Sequence, residues 1–124
     1  MGVKIKIDAA AVDRLMGAAA KAAHGTIEAL KTEVVAAQVM PFDTGDMQNN
    51  QTDTDLQVDG NQIRAHLTTG SPQARRLYYH PEYHFQTVNN ANAQGEWLEP
   101  WLYGEEKGFV EETFGKLLKK EAGL

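Results

Sequence analysis

The chain contains no cysteine, which removes disulfide bridges, thiolate zinc sites and cysteine nucleophiles together. That absence fits a reducing compartment. No apolar run approaches the roughly 18–20 residues of a membrane span, and the N-terminus lacks the apolar stretch of a signal peptide. The expectation is a protein made in the cytosol with no membrane partner. Basic charge is also scarce: 12 Lys and Arg stand against 17 Asp and Glu, a formal net charge of −5. Phosphate binding needs a basic patch, and the densest basic clusters, Arg75-Arg76 and the lysines of 116–120, read as solvated faces. No direct nucleic-acid binding is expected. A Gly-rich phosphate loop and a Gly-x-Ser-x-Gly elbow are missing too.

What is present fits one domain over 1–124. A chain of this size buries roughly two-thirds of its unfolded surface, enough for one core but not two. Residues 3–7 (Val-Lys-Ile-Lys-Ile) alternate apolar and charged, which suits a short half-buried strand, and Asp8 is placed to cap a helix. Over 9–39 the period becomes helical, with Val12, Leu15, Ala19, Ala23, Ile27, Leu30 and Val34 on one face. Pro41 disfavours helical geometry at Met40 and ends it. Unbroken, such a helix is about 45 Å long, against about 35 Å for the diameter of a compact domain of this length. Either it kinks near Gly25 or Gly17, or its overhanging half packs on another subunit. Its first half is rich in Ala and Gly, which admit a close neighbour or simply favour helix.

A turn is expected over 41–47 and a β-rich stretch over 51–80. Within the latter, 53–58 and 62–69 flank Asp59-Gly60-Asn61, a hairpin signal, and Leu77-Tyr78-Tyr79 starts a third strand or extended segment. Residues 81–95 have no sustained period and read as a long loop, where function concentrates. A C-terminal amphipathic helix follows over 103–121, with glutamates early and lysines late as its dipole prefers. Gly123 is its expected stop. The fold class is therefore α+β: a long N-terminal and a C-terminal helix packed on a small antiparallel sheet.

Two chemistries compete for the motifs. Asp43-Thr44-Gly45 is the triplet of retroviral-type aspartic proteases, in which two subunits each give one Asp and the carboxylates share a proton. That site needs a buried loop after an apolar strand in an almost all-β fold. Here a helix and Pro41 precede the triplet, and Asp46 adds a second charge after it. As a turn, every residue has a role: Pro41 stops the helix, Asp43 bonds amides ahead of it as an Asx-turn, and Gly45 supplies positive φ. The structural turn is thus Pro41, Asp43, Thr44 and Gly45, pinned by Phe42 and Met47. His80 and His84, with Glu82 between them, have ligand spacing for one helix face. Pro81, Tyr83 and Phe85 oppose a helix there, and the His-Glu-x-x-His order is absent. No catalytic, cofactor-binding or metal-ligating residue is assigned. Tyr78, Tyr79, Tyr83, Phe85, Trp97 and Trp101 are the residue types that anchor interfaces, and they equally suit a satellite core beneath the loop.

The order of elements resembles the minor capsid and head–tail connector proteins of tailed bacteriophages. The matching residues are Pro41-Phe42-Asp43-Thr44-Gly45-Asp46-Met47, then Ala74-Arg75-Arg76-Leu77-Tyr78-Tyr79-His80-Pro81-Glu82, then Asn89-Asn90-Ala91, Trp97 and Pro100-Trp101. The likeness spans about two-thirds of the chain, and the 3–7 segment has no place in it. It implies a non-enzymatic neck or tail-completion subunit, without cofactor, that assembles as a homo-oligomeric ring with other head, neck and tail proteins. It also implies a location in the host cytoplasm during assembly and at the head–tail junction of the virion afterwards. Outside the resemblance, the alternatives are a dimeric aspartic protease using Asp43 and a small His-based metal-binding module.

Overall fold

The computed structural model describes residues 2–42 and 45–124. Met1, Asp43 and Thr44 lie outside the described residues, and with them the expected Asx-turn. The first element, helix α1 (Ala9–Ala36), starts where the sequence places it: the Asp8 carboxylate accepts from the N–H groups of Ala10 at 3.0 Å and Ala11 at 3.2 Å. Such a cap is worth about 1 kcal/mol. The helix ends at Ala36, before the expected 39, because Gln38 takes a left-handed φ of 56° that cannot continue the helix. Its span of about 42 Å is interrupted at neither Gly17 nor Gly25.

The buried stripe of α1 is Ala18, Ala22, Thr26, Ile27 and Val34, turned partly away from the face read from the sequence. Val12 and Leu15 are instead about half exposed, at 47% and 50%. Thr26 is tolerated inside because its hydroxyl donates to the Ala22 carbonyl at 2.7 Å. The small residues on this stripe let a neighbour approach, and the neighbour is the chain's own last helix, α5 (Phe109–Ala122). A Cβ on Gly25 would stand 2.9 Å from Leu117 Cδ1. Helix α5 runs back along α1, with Phe109 near Val34 and Leu117 at Gly25. Glu111 and Glu112 occupy its first turn and Lys119 and Lys120 its last, and Gly123 (φ 73°) ends it.

After a short helix α2 (Asp46–Asn49), strands β1 (Thr52–Asp59) and β2 (Gln62–Thr69) form an antiparallel hairpin in which Asp59 faces Gln62 and Thr52 faces Thr69. Gly60 has a φ of 60° and Asn61 is not left-handed, as in a type II′ turn. These are the two strands of the sheet among the described residues. The third strand expected at Leu77-Tyr78-Tyr79 is a helix, α3 (Ala74–Tyr78). Ser71 explains the change: its Oγ accepts from the Gln73 N–H at 3.3 Å and its carbonyl from the Ala74 N–H at 3.1 Å, which starts a helical turn. Residues 3–7 form no strand either. Val3, Ile5 and Ile7 are 90%, 85% and 74% exposed, and no strand lies beside them among the described residues. Towards the C-terminus the last helix, expected from 103, starts at Phe109, and a separate short helix α4 (Glu99–Leu102), with Pro100 in its first turn, precedes it.

The core lies at the C-terminal end of α1, where Val34, Val39, Met40, Met47, Ala74, Trp97 and Trp101 are buried together. The long loop is part of it. Its amides and those of its Asn side chains bind the carbonyls of the segment just after α1: Asn92 Nδ2 to Ala37 O (3.0 Å), Asn92 N to Gln38 O (3.1 Å) and Gln94 N to Val39 O (2.9 Å). Asn90, itself buried, donates from Nδ2 to Met40 O at 2.8 Å and to Gln48 Oε1 at 2.7 Å.

Removing that amide leaves two buried acceptors unpaired, at a cost of about 2–4 kcal/mol. Asn90→Ala is therefore expected to lower the melting temperature by on the order of 10 °C. Asn90→Asp, which sets a carboxylate against two acceptors, is expected to lower it further at neutral pH. Thermal unfolding followed by circular dichroism checks both, and an Asn90→Asp protein as stable as the parent contradicts the assignment.

Candidate functional site

The six aromatics expected at an interface divide into two groups. Trp97 and Trp101 are in the core, 3% and 6% exposed, and are unavailable as docking anchors in this fold. Their bulk restores the core after the loop because α4 turns Trp101 inward. Tyr78 is the link: its ring meets Trp97 edge-on at 4.8 Å on one side and Tyr79 at 5.2 Å on the other. Tyr79 and Tyr83 face solvent, and Phe85 is half-buried. Tyr83 stacks on His80, with ring centres 4.7 Å apart and planes 9° from parallel, and stands 6.4 Å from Phe85. Edge-on and stacked contacts of this kind hold rings in place at about 0.5–1.5 kcal/mol each. The result is a fixed aromatic ledge over 78–85.

Beside the ledge, a cleft of about 470 Å³ opens between the hairpin, α3 and the end of α1. Val34, Met40, Leu67 and Trp97 give it an apolar floor, and Thr52, Thr69, Arg75 and Tyr79 a polar rim. The Thr52 hydroxyl donates to Met47 O at 2.8 Å, so Thr69 is the donor in the 3.0 Å contact between the two hydroxyls. With both hydroxyls committed, the rim holds no free nucleophile–base pair. An apolar floor with a few polar groups at the rim is the general character of a small-ligand or side-chain pocket.

The remaining candidates do not converge. His24 lies exposed on α1, and His66 faces Asp55 across the hairpin at 3.8 Å. His84 lines a second cleft, of about 400 Å³, with Pro41, Phe42, Gly45 and Phe85. His80 is engaged by Glu82 at 2.6 Å. Among the described residues no group of three or more His, Cys, Asp or Glu side chains is placed to hold a metal ion, and no helix is long and apolar enough to cross a membrane. Of the expected turn, Pro41 and Gly45 are buried, and Gly45 has a φ of 85° as required. The polar hub of Asn90 and Gln48 was missed by the sequence reading. Asn90 stands in an Asn-rich stretch where nothing separates a buried amide from a solvated one.

Two side chains near the ledge have displaced proton affinities. Burial, and secondarily the charge of Glu99, raises the Tyr78 hydroxyl above the ordinary tyrosine value, which keeps it neutral at physiological pH. The hydrogen bond from His80 holds the Glu82 carboxyl below the ordinary glutamate value. A carboxyl depressed in the fold contributes above its unfolded pKa, and the contribution fades as pH falls through the lowered value. In a side-chain NMR titration, Glu82 is therefore expected to protonate below a free glutamate, and His80→Ala to return it to the ordinary range. A Glu82 midpoint unmoved by that substitution contradicts the pairing.

No protein-family model, no curated protein and no solved structure matches this chain.

Proposed function

We propose that the chain is a non-enzymatic structural subunit of a tailed-bacteriophage or prophage virion, a minor capsid or head–tail connector protein that joins head to tail by ring assembly. The observation that carries this reading is the distribution of its surface. The chain exposes 8835 Å², whereas a compact monomer of 13.7 kDa exposes about 6,600 Å². The excess belongs to a shape with a protruding limb. Residues 2–16, the leading segment and the first turns of α1, contain no buried residue, yet they carry Val3, Ile5, Ile7, Val12 and Leu15 at 47% exposure or more. Apolar side chains gathered on one projecting limb mark a contact surface. The aromatic ledge and its apolar cleft form a second surface at the opposite end of α1. A subunit with one contact surface at each end suits a ring between other rings, and the motif resemblance from 41 to 101 gives that ring its place at the head–tail junction. In that setting its partners are head, neck and tail proteins and further copies of itself, first in the host cytoplasm and then in the virion.

Deleting the gene from an inducible lysogen is expected to leave filled heads and free tails unjoined under negative-stain microscopy, and purified virions of the parent are expected to contain the chain by mass spectrometry. Intact infectious virions from the deletion strain would overturn the proposal. So would an acid-optimum peptidase activity of the purified chain that Asp43→Asn abolishes while the fold is kept.

A further inference from the structure

The segment 3–7 is exposed and patterned as a strand, yet among the described residues it has no strand beside it. We propose that it adds as a third strand to the free edge of β1 in a second copy of this chain. Three observations lead there. The first is that β1 has β2 on one side and, among the described residues, no strand on the other. Counting from the closing pair Asp59 and Gln62, the alternation of antiparallel bonds turns the backbone groups of Thr54, Leu56 and Val58 towards that free edge, the arrangement that accepts an extended segment.

The second is the match of faces. With Ile5 opposite Thr54, Lys4 and Lys6 fall opposite Asp53 and Asp55 whether the added strand runs parallel or antiparallel. Val3 and Ile7 then fall on the face of Thr52 and Leu56. Asp53 and Asp55 are exposed and point to the face away from α1, so the lysines meet acids in water and the apolar residues meet the half-buried side. The other edge of the sheet does not fit. On the same exposed face, β2 presents Arg64 and His66, which repel or fail to pair lysines. Charge thus selects one edge of the two.

The third observation makes the partner a second copy. Residues 2–7 reach about 20 Å when fully extended. Asp8 stands about 30 Å along α1 from Glu28, whose carboxylate accepts from the Thr54 hydroxyl. An arm tied to Asp8 cannot lie along the middle of its own β1, while the same edge of a neighbour is within reach. The limb that leaves its apolar residues in water and the edge that leaves its amides in water then satisfy each other across copies.

Strand addition deepens the ring reading, yet its test stands apart from phage biology. Because the chain has no cysteine, single cysteines report proximity cleanly. Separately purified Ile5→Cys and Thr54→Cys proteins, mixed and mildly oxidised, are expected to give a covalent dimer on a non-reducing gel, while Ile5→Cys with Ala65→Cys on the β2 edge gives none. In sedimentation experiments Lys4→Glu/Lys6→Glu is expected to weaken self-association at least tenfold, and Asp53→Lys/Asp55→Lys in the same chain to restore it. Of the seven substituted residues all but Thr54 are exposed, Thr54 is half-buried outside the core, and unchanged circular dichroism separates lost association from lost folding. A parent protein that stays monomeric at high concentration, no product from the 5/54 mixture, or equal product from 5/65 overturns strand addition. Missing 5/54 product with virion assembly still dependent on the gene sinks the arm and leaves the connector. Product from 5/54 with intact virions in the deletion strain does the reverse.

Discussion

The end of a long helix is the constraint on which this structure depends. The carbonyls of residues 37–40, just past the end of α1, have no helical partners, and those of Val39 and Met40 belong to residues buried in the core. The chain answers with a segment more than fifty residues downstream. Residues 90–94 lie across the helix end and supply side-chain and backbone donors to four successive carbonyls, those of Ala37, Gln38, Val39 and Met40. Asn90 also reaches Gln48, so one buried amide ties together the end of α1, the α2 turn and the loop. Once the loop is held there, Trp97 and Trp101 fall against Met40 and Val34 and close the core.

That placement of the core has a mechanical consequence. Packing is concentrated at one end of α1, is continued along its middle by β2 and α5, and stops before the first turns. Helix α5 contributes a partly buried face but no buried residue. The front of α1 is a rigid extension of a well-anchored rod, because a helix transmits its anchoring along its own hydrogen bonds. The arm before Asp8 is therefore carried at a fixed distance from the core rather than hanging from a flexible linker. Projection and exposed apolar residues are two results of one cause: the chain has too few large side chains in 9–20 to wrap its own helix.

Local chemistry was legible in the sequence wherever it acted locally. The Asp8 cap, the Gly60 hairpin turn and the charge order of α5 are each decided within a few residues, and the structure has all of them. Readings that depended on distant partners fared worse. Residues 3–7 have a strand's pattern, but a strand needs a neighbour, and the described residues supply none. Leu77-Tyr78-Tyr79 has strand propensity, but the Ser71 turn ahead of it starts a helix. Trp97 and Trp101 suited an interface or a satellite core beneath the loop, and the structure buries both. What decides it is the set of bonds from residues 90–94 to the segment after α1, which no local pattern encodes. The clefts beside Tyr79 and around Phe85 were invisible for the same reason, since their walls come from four separate elements.

The same distinction bears on the segment where helix passes to hairpin. The segment on either side of Asp43 and Thr44 is shaped by packing. Val39, Met40, Pro41 and Met47 are buried, and Gly45 is enclosed: a Cβ there would stand 2.7 Å from Phe42 Cζ and 2.9 Å from Asn49 Nδ2, in a backbone region that side chains avoid. On the far side the Asp46 carboxylate accepts from the Asn50 and Gln51 side-chain amides, which ties the start of α2 to the residues that follow it. A glycine required by a neighbour's ring and a carboxylate already bonded at a helix start are what a tight joint needs. The lead-in is the end of α1 and not a strand. The motif's glycine therefore has a full explanation in the geometry that joins α1 to β1, without any demand from chemistry at its side.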